Sequence, residues 1–156
     1  MSTRFLAACL AASFVAAASA LAQAPATPPA LGASQETNLP GVVAEVTEFR
    51  RKGNTLTAKV RFRNTGTADV DVDFSYAGAY LLDTEAAKKY EVLKDEKGYY
   101  IAALYGSTKD RYWVDLPPGA SLTAWMKFPA PPAATTAVTL QVPGVPPFED
   151  IPIQDP

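Results

Sequence analysis

The sequence lacks the residues on which most enzyme chemistry depends. Its 156 residues include no histidine and one cysteine, at position 9. Histidine and cysteine are the usual ligands of zinc, copper, haem and iron–sulfur clusters, and histidine is the usual general base of hydrolytic triads. We therefore expect no cofactor and no enzyme activity of these kinds, and serine hydrolysis is excluded because no serine has a histidine to activate it.

An excess of charge of one sign is also absent. Fourteen lysines and arginines stand against sixteen aspartates and glutamates, which gives a formal net charge of -2. A nucleic acid or an anionic membrane surface calls for a concentrated basic patch on its partner. We therefore expect neither as a partner.

The first 22 residues have the three parts of a secretory signal peptide. Arg4 supplies the positive start, residues 5–21 are apolar or small, and Ala20-Leu21-Ala22 is a small-x-small cleavage site. The run is shorter than the ~20 residues of a membrane span, and prolines follow it rather than a basic stop-transfer cluster. We expect cleavage after Ala22, a periplasmic or secreted protein, and no stable membrane insertion of the mature chain.

The cysteine lies inside this signal. Leu6-Ala7-Ala8-Cys9 resembles a bacterial lipobox, but five residues precede it and the apolar run continues beyond it, so the pattern does not favour lipidation at Cys9. Cleavage after Ala22 would leave no cysteine and hence no disulfide. The mature protein must then be stabilised by a hydrophobic core.

The mature chain divides at Gly41. Residues 23–40 are rich in alanine and proline without any periodicity, which predicts a disordered tether. From Gly41 onward, short alternating apolar segments are separated by glycine, proline, asparagine and aspartate turns. Residues 41–156 are therefore predicted to form one β-domain of ordinary size.

Alternation of apolar and polar side chains places the strands. The strongest example has Leu56, Ala58, Val60 and Phe62 on one face. The segments that read as strands are 42–49, 55–63, 70–76, 79–82, 90–93, 99–105, 121–128, 138–142 and 148–153. The first two should form a hairpin through the polar turn 50–54, and residues 84–89 could hold no more than a helical turn. We predict an all-β, antiparallel fold of roughly seven to nine strands with no helix of ordinary length.

Two turn motifs resemble those of bacterial extracytoplasmic immunoglobulin-like domains. The first is Gly53-Asn54-Thr55-Leu56-Thr57 with the following segment 60–66, which ends in Asn-Thr-Gly. The second is Leu116-Pro117-Pro118-Gly119-Ala120-Ser121-Leu122-Thr123, which leads a strand ending at Phe128. The resemblance covers most of residues 41–153 and implies an immunoglobulin-like β-sandwich that acts as an accessory or interaction module in the envelope. Because unrelated sandwiches share such turns, it bears on fold more than on function.

Aromatic residues are concentrated in one part of the chain and supply the candidate binding surface. Rigid rings beside glycine and serine can stack on sugars or on proteins, although sandwiches without disulfides also bury large rings in the core. Trp113 is open to both interpretations, whereas Trp125 should point outward because its neighbours Ala124 and Met126 point inward. The candidate surface residues are Tyr99, Tyr105, Tyr112, Trp113 and Trp125. By the same alternation Tyr99 and Tyr100 should point to opposite faces, which would place one of them in the core.

Three aspartates could be considered for a cation site. Asp69, Asp71 and Asp73 share one face of a predicted strand, about 7 Å apart. Calcium needs six to eight oxygen ligands that converge on one point, which an extended strand does not supply. These residues are therefore a weak calcium candidate, and we expect a solvated strand face that also discourages edge-to-edge aggregation.

The remaining charged residues leave two alternatives open. Arg50-Arg51-Lys52 in a turn and Lys59, Arg61 and Arg63 along one strand could merge into a basic patch. Such a patch fits either cross-strand pairing with the aspartate-rich strand or an anionic glycan partner. Carboxylate pairs for glycoside hydrolysis, which must stand about 5 to 9 Å apart, could come from Asp95-Glu96, Asp110, Asp115 or Glu149-Asp150.

We interpret the chain as an exported, non-catalytic binding or structural interaction module of the bacterial envelope, with a protein or glycan partner. The alternative is a carbohydrate- or peptidoglycan-binding module, which requires that the five candidate rings form one exposed platform. An enzyme would require two acids in one cleft, at least one of them with a raised pKa.

Overall fold

Ten β-strands and one three-residue 3-10 turn make up the regular structure of the described chain. The computed structural model describes residues 31, 33–103 and 110–156. The strands are β1 (Ser34–Glu36), β2 (Val42–Lys52), β3 (Thr55–Asn64), β4 (Val70–Ser75), β5 (Tyr80–Asp83), β6 (Lys88–Glu91), β7 (Arg111–Leu116), β8 (Ser121–Pro129), β9 (Ala137–Gln141) and β10 (Phe148–Pro152), and the 3-10 turn is Tyr76–Gly78.

The predicted hairpin is confirmed as the pair β2 and β3. These strands are antiparallel from Val42 opposite Asn64 to Lys52 opposite Thr55, so that only two residues form the loop. Gly53 has φ +59°, as required at the first position of one class of two-residue hairpin loop. The residues Arg50-Arg51-Lys52 therefore belong to β2, and their assignment to a turn was wrong because the strand alternation continues to the loop.

The strands form three sheets in which every strand pairing is antiparallel. Their orders are β1-β2-β3-β8, β10-β9-β5-β6 and the two-stranded ribbon β4-β7. An isolated parallel bridge between Arg50 and Gln154 joins the end of the chain to β2. The all-β, antiparallel part of the prediction is confirmed, and no helix of ordinary length occurs in the described residues.

Aromatic rings pack the ribbon β4-β7 onto the sheet β1-β2-β3-β8. Phe62 on β3 lies 5.9 Å from Phe74 on β4 and 6.5 Å from Tyr112 on β7, measured between ring centroids. Leu81 on β5 and Phe148 on β10, from the sheet β10-β9-β5-β6, join the same core. Alternate residues of a strand point to opposite faces. The outer face of the ribbon β4-β7 and the outer face of the sheet β1-β2-β3-β8 therefore lie on opposite sides of this core.

The folded part begins before the predicted boundary at Gly41. β1 lies inside the stretch 23–40 that was predicted to be a disordered tether, and it pairs with β2 with Ser34 opposite Glu45 and Glu36 opposite Val43. The prediction failed here because β1 is attached through main-chain hydrogen bonds. A three-residue strand of polar side chains has no apolar alternation to reveal it.

The prediction of seven to nine strands was too low. β1 and β7 were not predicted, whereas the predicted strand 99–105 is irregular over its described residues. Tyr100 bridges Lys94 and Ala102 bridges Met126 of β8, each as a single isolated bridge. Of residues 84–89, which could have held a helical turn, 84–87 form the tight turn between β5 and β6, and Lys88 and Lys89 begin β6.

Two buried polar side chains hold the strand ends together. The Arg51 guanidinium donates through Nε and Nη2 to the Asp155 carboxylate, at 2.6 and 2.8 Å, and through Nη1 to three carbonyls in the segment after β8. This hydrogen bonding lowers the pKa of Asp155. At the other end of the sheet, Asn64 Nδ2 donates to the carbonyls of Ala68 and Leu116, at 2.8 and 2.9 Å, which ties β3 to β7.

Several predicted features lie outside the described residues. They are the signal peptide 1–22 with Cys9 and its lipobox-like context, residues 23–30 and 32 of the tether, and Tyr105. Over the described residues, no helix has the length and apolar character needed to cross a membrane.

Candidate interaction faces

Trp125 lies on the outer face of the sheet β1-β2-β3-β8. It lies on β8 between the buried residues Ala124 and Met126, directly opposite Lys59 of β3, and is 36% exposed. The prediction that it points outward is confirmed. We call this surface the Trp125 face, and its charged residues are Glu36, Glu45, Glu48, Arg50, Lys52, Lys59, Arg61, Arg63 and Lys127.

The Trp125 face carries an excess of positive charge. Glu45 pairs with Arg61 at 2.6 Å, and Glu48 pairs with Lys59 at 2.7 Å. Four cations of the face have no ion-pair partner among the described residues, namely Arg50, Lys52, Arg63 and Lys127. Six cations against three carboxylates leave this face basic, although the whole chain is slightly acidic.

Trp113 stands on the outer face of the ribbon. It lies on β7 opposite Asp73 of β4 and is 50% exposed. Of the two interpretations of this residue, core packing and surface, the exposure supports the surface. We call this surface the Trp113 face, and its residues are Asp71, Asp73, Ser75, Arg111, Trp113 and Asp115. Arg111 Nε donates to Asp73 at 3.0 Å, and this contact raises the pKa of Arg111.

Two carboxyl groups lie side by side on the Trp113 face. Asp71 and Asp115 are directly opposite each other in the β4–β7 pairing, and both are exposed. The pKa of Asp71 is raised because its protonated carboxyl can donate a hydrogen bond to Asp115, with smaller contributions from desolvation and from the negative charges of Asp115 and Asp73. Sequence reasoning considered both residues without pairing them, because their contact depends on the β4–β7 register.

The basic and acidic strands do not neighbour each other. β3 pairs with β2 and β8, whereas β4 pairs with β7. Cross-strand pairing between Lys59, Arg61 and Arg63 and the aspartates of β4 is therefore wrong, and the two charged faces lie on opposite sides of the core. Arg51 is also removed from the basic patch, since its side chain is buried against Asp155.

The candidate rings do not form one platform. Tyr112 is fully buried, with its ring 5.2 Å from that of Phe74, so its assignment to a binding surface was wrong. It points inward because its neighbour Trp113 points outward. Trp113 and Trp125 lie on opposite faces, and Tyr99 is half-buried in the loop after β6. Tyr100 is also half-buried, with its ring 5.9 Å from the core ring of Tyr76.

The aspartate-rich strand is solvated as predicted. Asp69, Asp71 and Asp73 are all exposed, and the latter two share one face of β4. Within the described residues, no group of three or more histidine, cysteine, aspartate or glutamate side chains could hold a metal ion. Of the other acids, Asp95 accepts hydrogen bonds from the backbone N–H groups of Lys97 and Tyr99, which gives it a role in its own turn.

Two shallow cavities lie beside β1. One, of about 180 Å³, is lined by residues that include Glu36, Leu39 and Thr65, and the other, of about 350 Å³, by residues that include Glu36 and Val145. Small-molecule sites usually enclose ~300–1,000 Å³ with several convergent polar groups. Each cavity contains a single carboxyl, Glu36, so neither provides the pair of acids that glycoside hydrolysis requires.

Comparisons with known proteins supply no family. No family model and no curated protein matches this chain. The crystal structure of a functionally unknown protein from Listeria monocytogenes EGD-e is similar at 13% sequence identity, covering 78% of this chain and 84% of that one, with a TM-score of 0.45. A likeness at this level carries no argument about fold or function.

Proposed function

We propose that this chain is an exported, non-catalytic binding module of the bacterial envelope, built as an immunoglobulin-like β-sandwich. Export is supported by the signal-like residues 1–22, and the sandwich by antiparallel sheets that pack face to face through Phe62, Phe74 and Tyr112. The single observation that carries a binding role is the Trp125 face.

The Trp125 face has the chemistry of a protein-binding surface. A tryptophan that is 36% exposed leaves apolar area in water, and tryptophan is among the residues that most often dominate binding energy at interfaces. Lys59 lies opposite it and Lys127 is two residues further along the same strand and face, so the indole has a cationic neighbour on each of the two strands. A binding surface on paired strands is held rigid, which lowers the entropic cost of association.

The carbohydrate-binding alternative has weaker support. It requires one platform of several rings, whereas Trp113 and Trp125 face away from each other and Tyr112 is buried. One exposed indole beside cations would remain to contact an anionic glycan. We therefore favour a protein partner and keep peptidoglycan as a second arm of the test.

The proposal is tested by capture experiments on matched variants. The protein is produced from its full sequence with a tag after Pro156, and is incubated with solubilised envelope proteins and, separately, with isolated peptidoglycan. A specific protein should be captured by the parent chain and by Lys97→Ala, which changes an exposed turn, but at least tenfold less by Trp125→Ala. Equal capture by all three chains would contradict a binding role for this face, and retention on peptidoglycan alone would favour the glycan-binding module.

A further inference from the structure

The two tryptophan faces are complementary in charge. The Trp125 face has six cations and three carboxylates, whereas the Trp113 face has three carboxyls and one guanidinium, that of Arg111. Each face places one large exposed indole among these charges. A surface of one sign attracts a surface of the opposite sign and repels its own copy.

The acidic side also contains a repulsion that a cation would relieve. Asp71 and Asp115 stand directly opposite each other on β4 and β7, and among the described residues the one cation of this face, Arg111, is already paired with Asp73. On the opposite side of the molecule, Arg63 and Lys127 have no ion-pair partner among the described residues. A cation of this kind placed against the carboxyl pair would neutralise charge that the ribbon alone leaves uncompensated.

We propose that copies of this chain associate head to tail, with the Trp125 face of one copy on the Trp113 face of the next. This inference rests on the proposed function and names a second copy as a partner of the Trp125 face. A two-fold symmetric contact through either face is disfavoured, because it would place cations against cations or carboxylates against carboxylates.

The direction of the two faces determines the form of the assembly. They lie on opposite sides of the core, so a row of copies in contact always has one free face at each of its two ends. A heterologous contact of this kind gives a growing filament, or a ring if the rotation between copies closes. Association should therefore increase with protein concentration without stopping at a dimer, and it should weaken with salt because the faces meet through exposed charges.

Complementation between two single variants is the deciding experiment. Trp113→Ala retains only an intact Trp125 face, and Trp125→Ala retains only an intact Trp113 face. Each variant alone should associate about tenfold or more weakly than the parent chain. An equal mixture of the two should recover a single parent-like contact and give a one-to-one heterodimer by analytical ultracentrifugation, with Lys97→Ala as a control that assembles like the parent.

Three results would overturn the inference. They are a parent chain that stays monomeric at low salt, a Trp113→Ala variant that associates as strongly as the parent, and a mixture that yields no heterodimer. Circular dichroism checks that the variants are folded. If either variant is unfolded, Lys127→Glu and a salt titration of the parent replace it, and each should weaken assembly; unchanged assembly in both would overturn the inference. Capture of an envelope protein by a monomeric parent, lost in Trp125→Ala, would leave the proposed function standing without self-association.

Discussion

The two tryptophan faces stand on supports of very different strength. The Trp125 face lies on a four-stranded sheet in which β3 is paired along its length on both sides. The Trp113 face lies on a ribbon of two strands with six residue pairs. A two-stranded ribbon is marginally stable alone in water, so the Trp113 face depends on the rings beneath it, whereas the Trp125 face is held by its own strands.

The largest expected effect comes from removing the ring at the centre of the ribbon. Phe74 is buried, with ring centroids at 5.4 Å from Tyr76 and 5.2 Å from Tyr112. Phe74→Ala should lower the free energy of unfolding by about 3–5 kcal/mol in denaturant titrations, because it leaves a cavity. Amide hydrogen exchange should accelerate in β4 and β7 more than in β2 and β3.

Phe74→Leu is the matched variant for this test. It retains an apolar side chain and loses mainly the ring contacts, which contribute about 0.5–1.5 kcal/mol. Phe74→Leu should therefore cost less than half of the unfolding free energy that Phe74→Ala costs. If exchange accelerated equally in all four strands, the two faces would share one support and the comparison would fail.

A smaller effect is expected at the link between the two supports. Asn64 is buried at the end of β3 and donates to the carbonyl of Leu116 on β7. Asn64→Ala should cost about 1–3 kcal/mol, because it leaves the buried Leu116 carbonyl at the end of the ribbon without its donor. Thr65→Ala, which removes one exposed hydrogen bond to Gly41, should cost less than about 1 kcal/mol, and equal losses would contradict the linking role.

The features that sequence predicted are those set by side-chain alternation. Period-two patterning located β3 and β8, and it indicated that Trp125 points outward between Ala124 and Met126, because each strand buries one face. Alternation also runs through β7, but the dense cluster of aromatic residues predicts a surface from composition alone, which wrongly includes Tyr112 with Trp113. Because side chains alternate along a strand, the step of one residue from Tyr112 to Trp113 moves the side chain from the core to the surface.

The features that sequence missed depend on contacts between distant parts of the chain. β1 is held by main-chain hydrogen bonds that leave no side-chain pattern. Arg51 is buried because Asp155, far along the chain, and the carbonyls after β8 satisfy its guanidinium. The Asp71–Asp115 pair exists only in the observed β4–β7 register. No local pattern reports a partner that is brought close only by the fold.

The smallest expected effect has opposite signs on the two faces. The raised pKa of Asp71 means that the folded protein holds this proton more tightly than the unfolded chain. Its ionisation therefore destabilises the fold at neutral pH, and this cost disappears as the pH falls to about 4, the ordinary aspartate range. Asp71→Asn should raise the melting temperature at pH 7, with an advantage that vanishes in acid.

Glu45→Gln is the matched neutralisation on the other face. It breaks the exposed pair with Arg61 and should lower stability by no more than about 0.5 kcal/mol. Thermal melts of both variants between pH 4 and pH 7 measure the difference. If Asp71→Asn lowered the melting temperature at pH 7 as Glu45→Gln does, the carboxyl pair would be compensated like the charges of the Trp125 face, and the ribbon would have no uncompensated charge to offer a second copy.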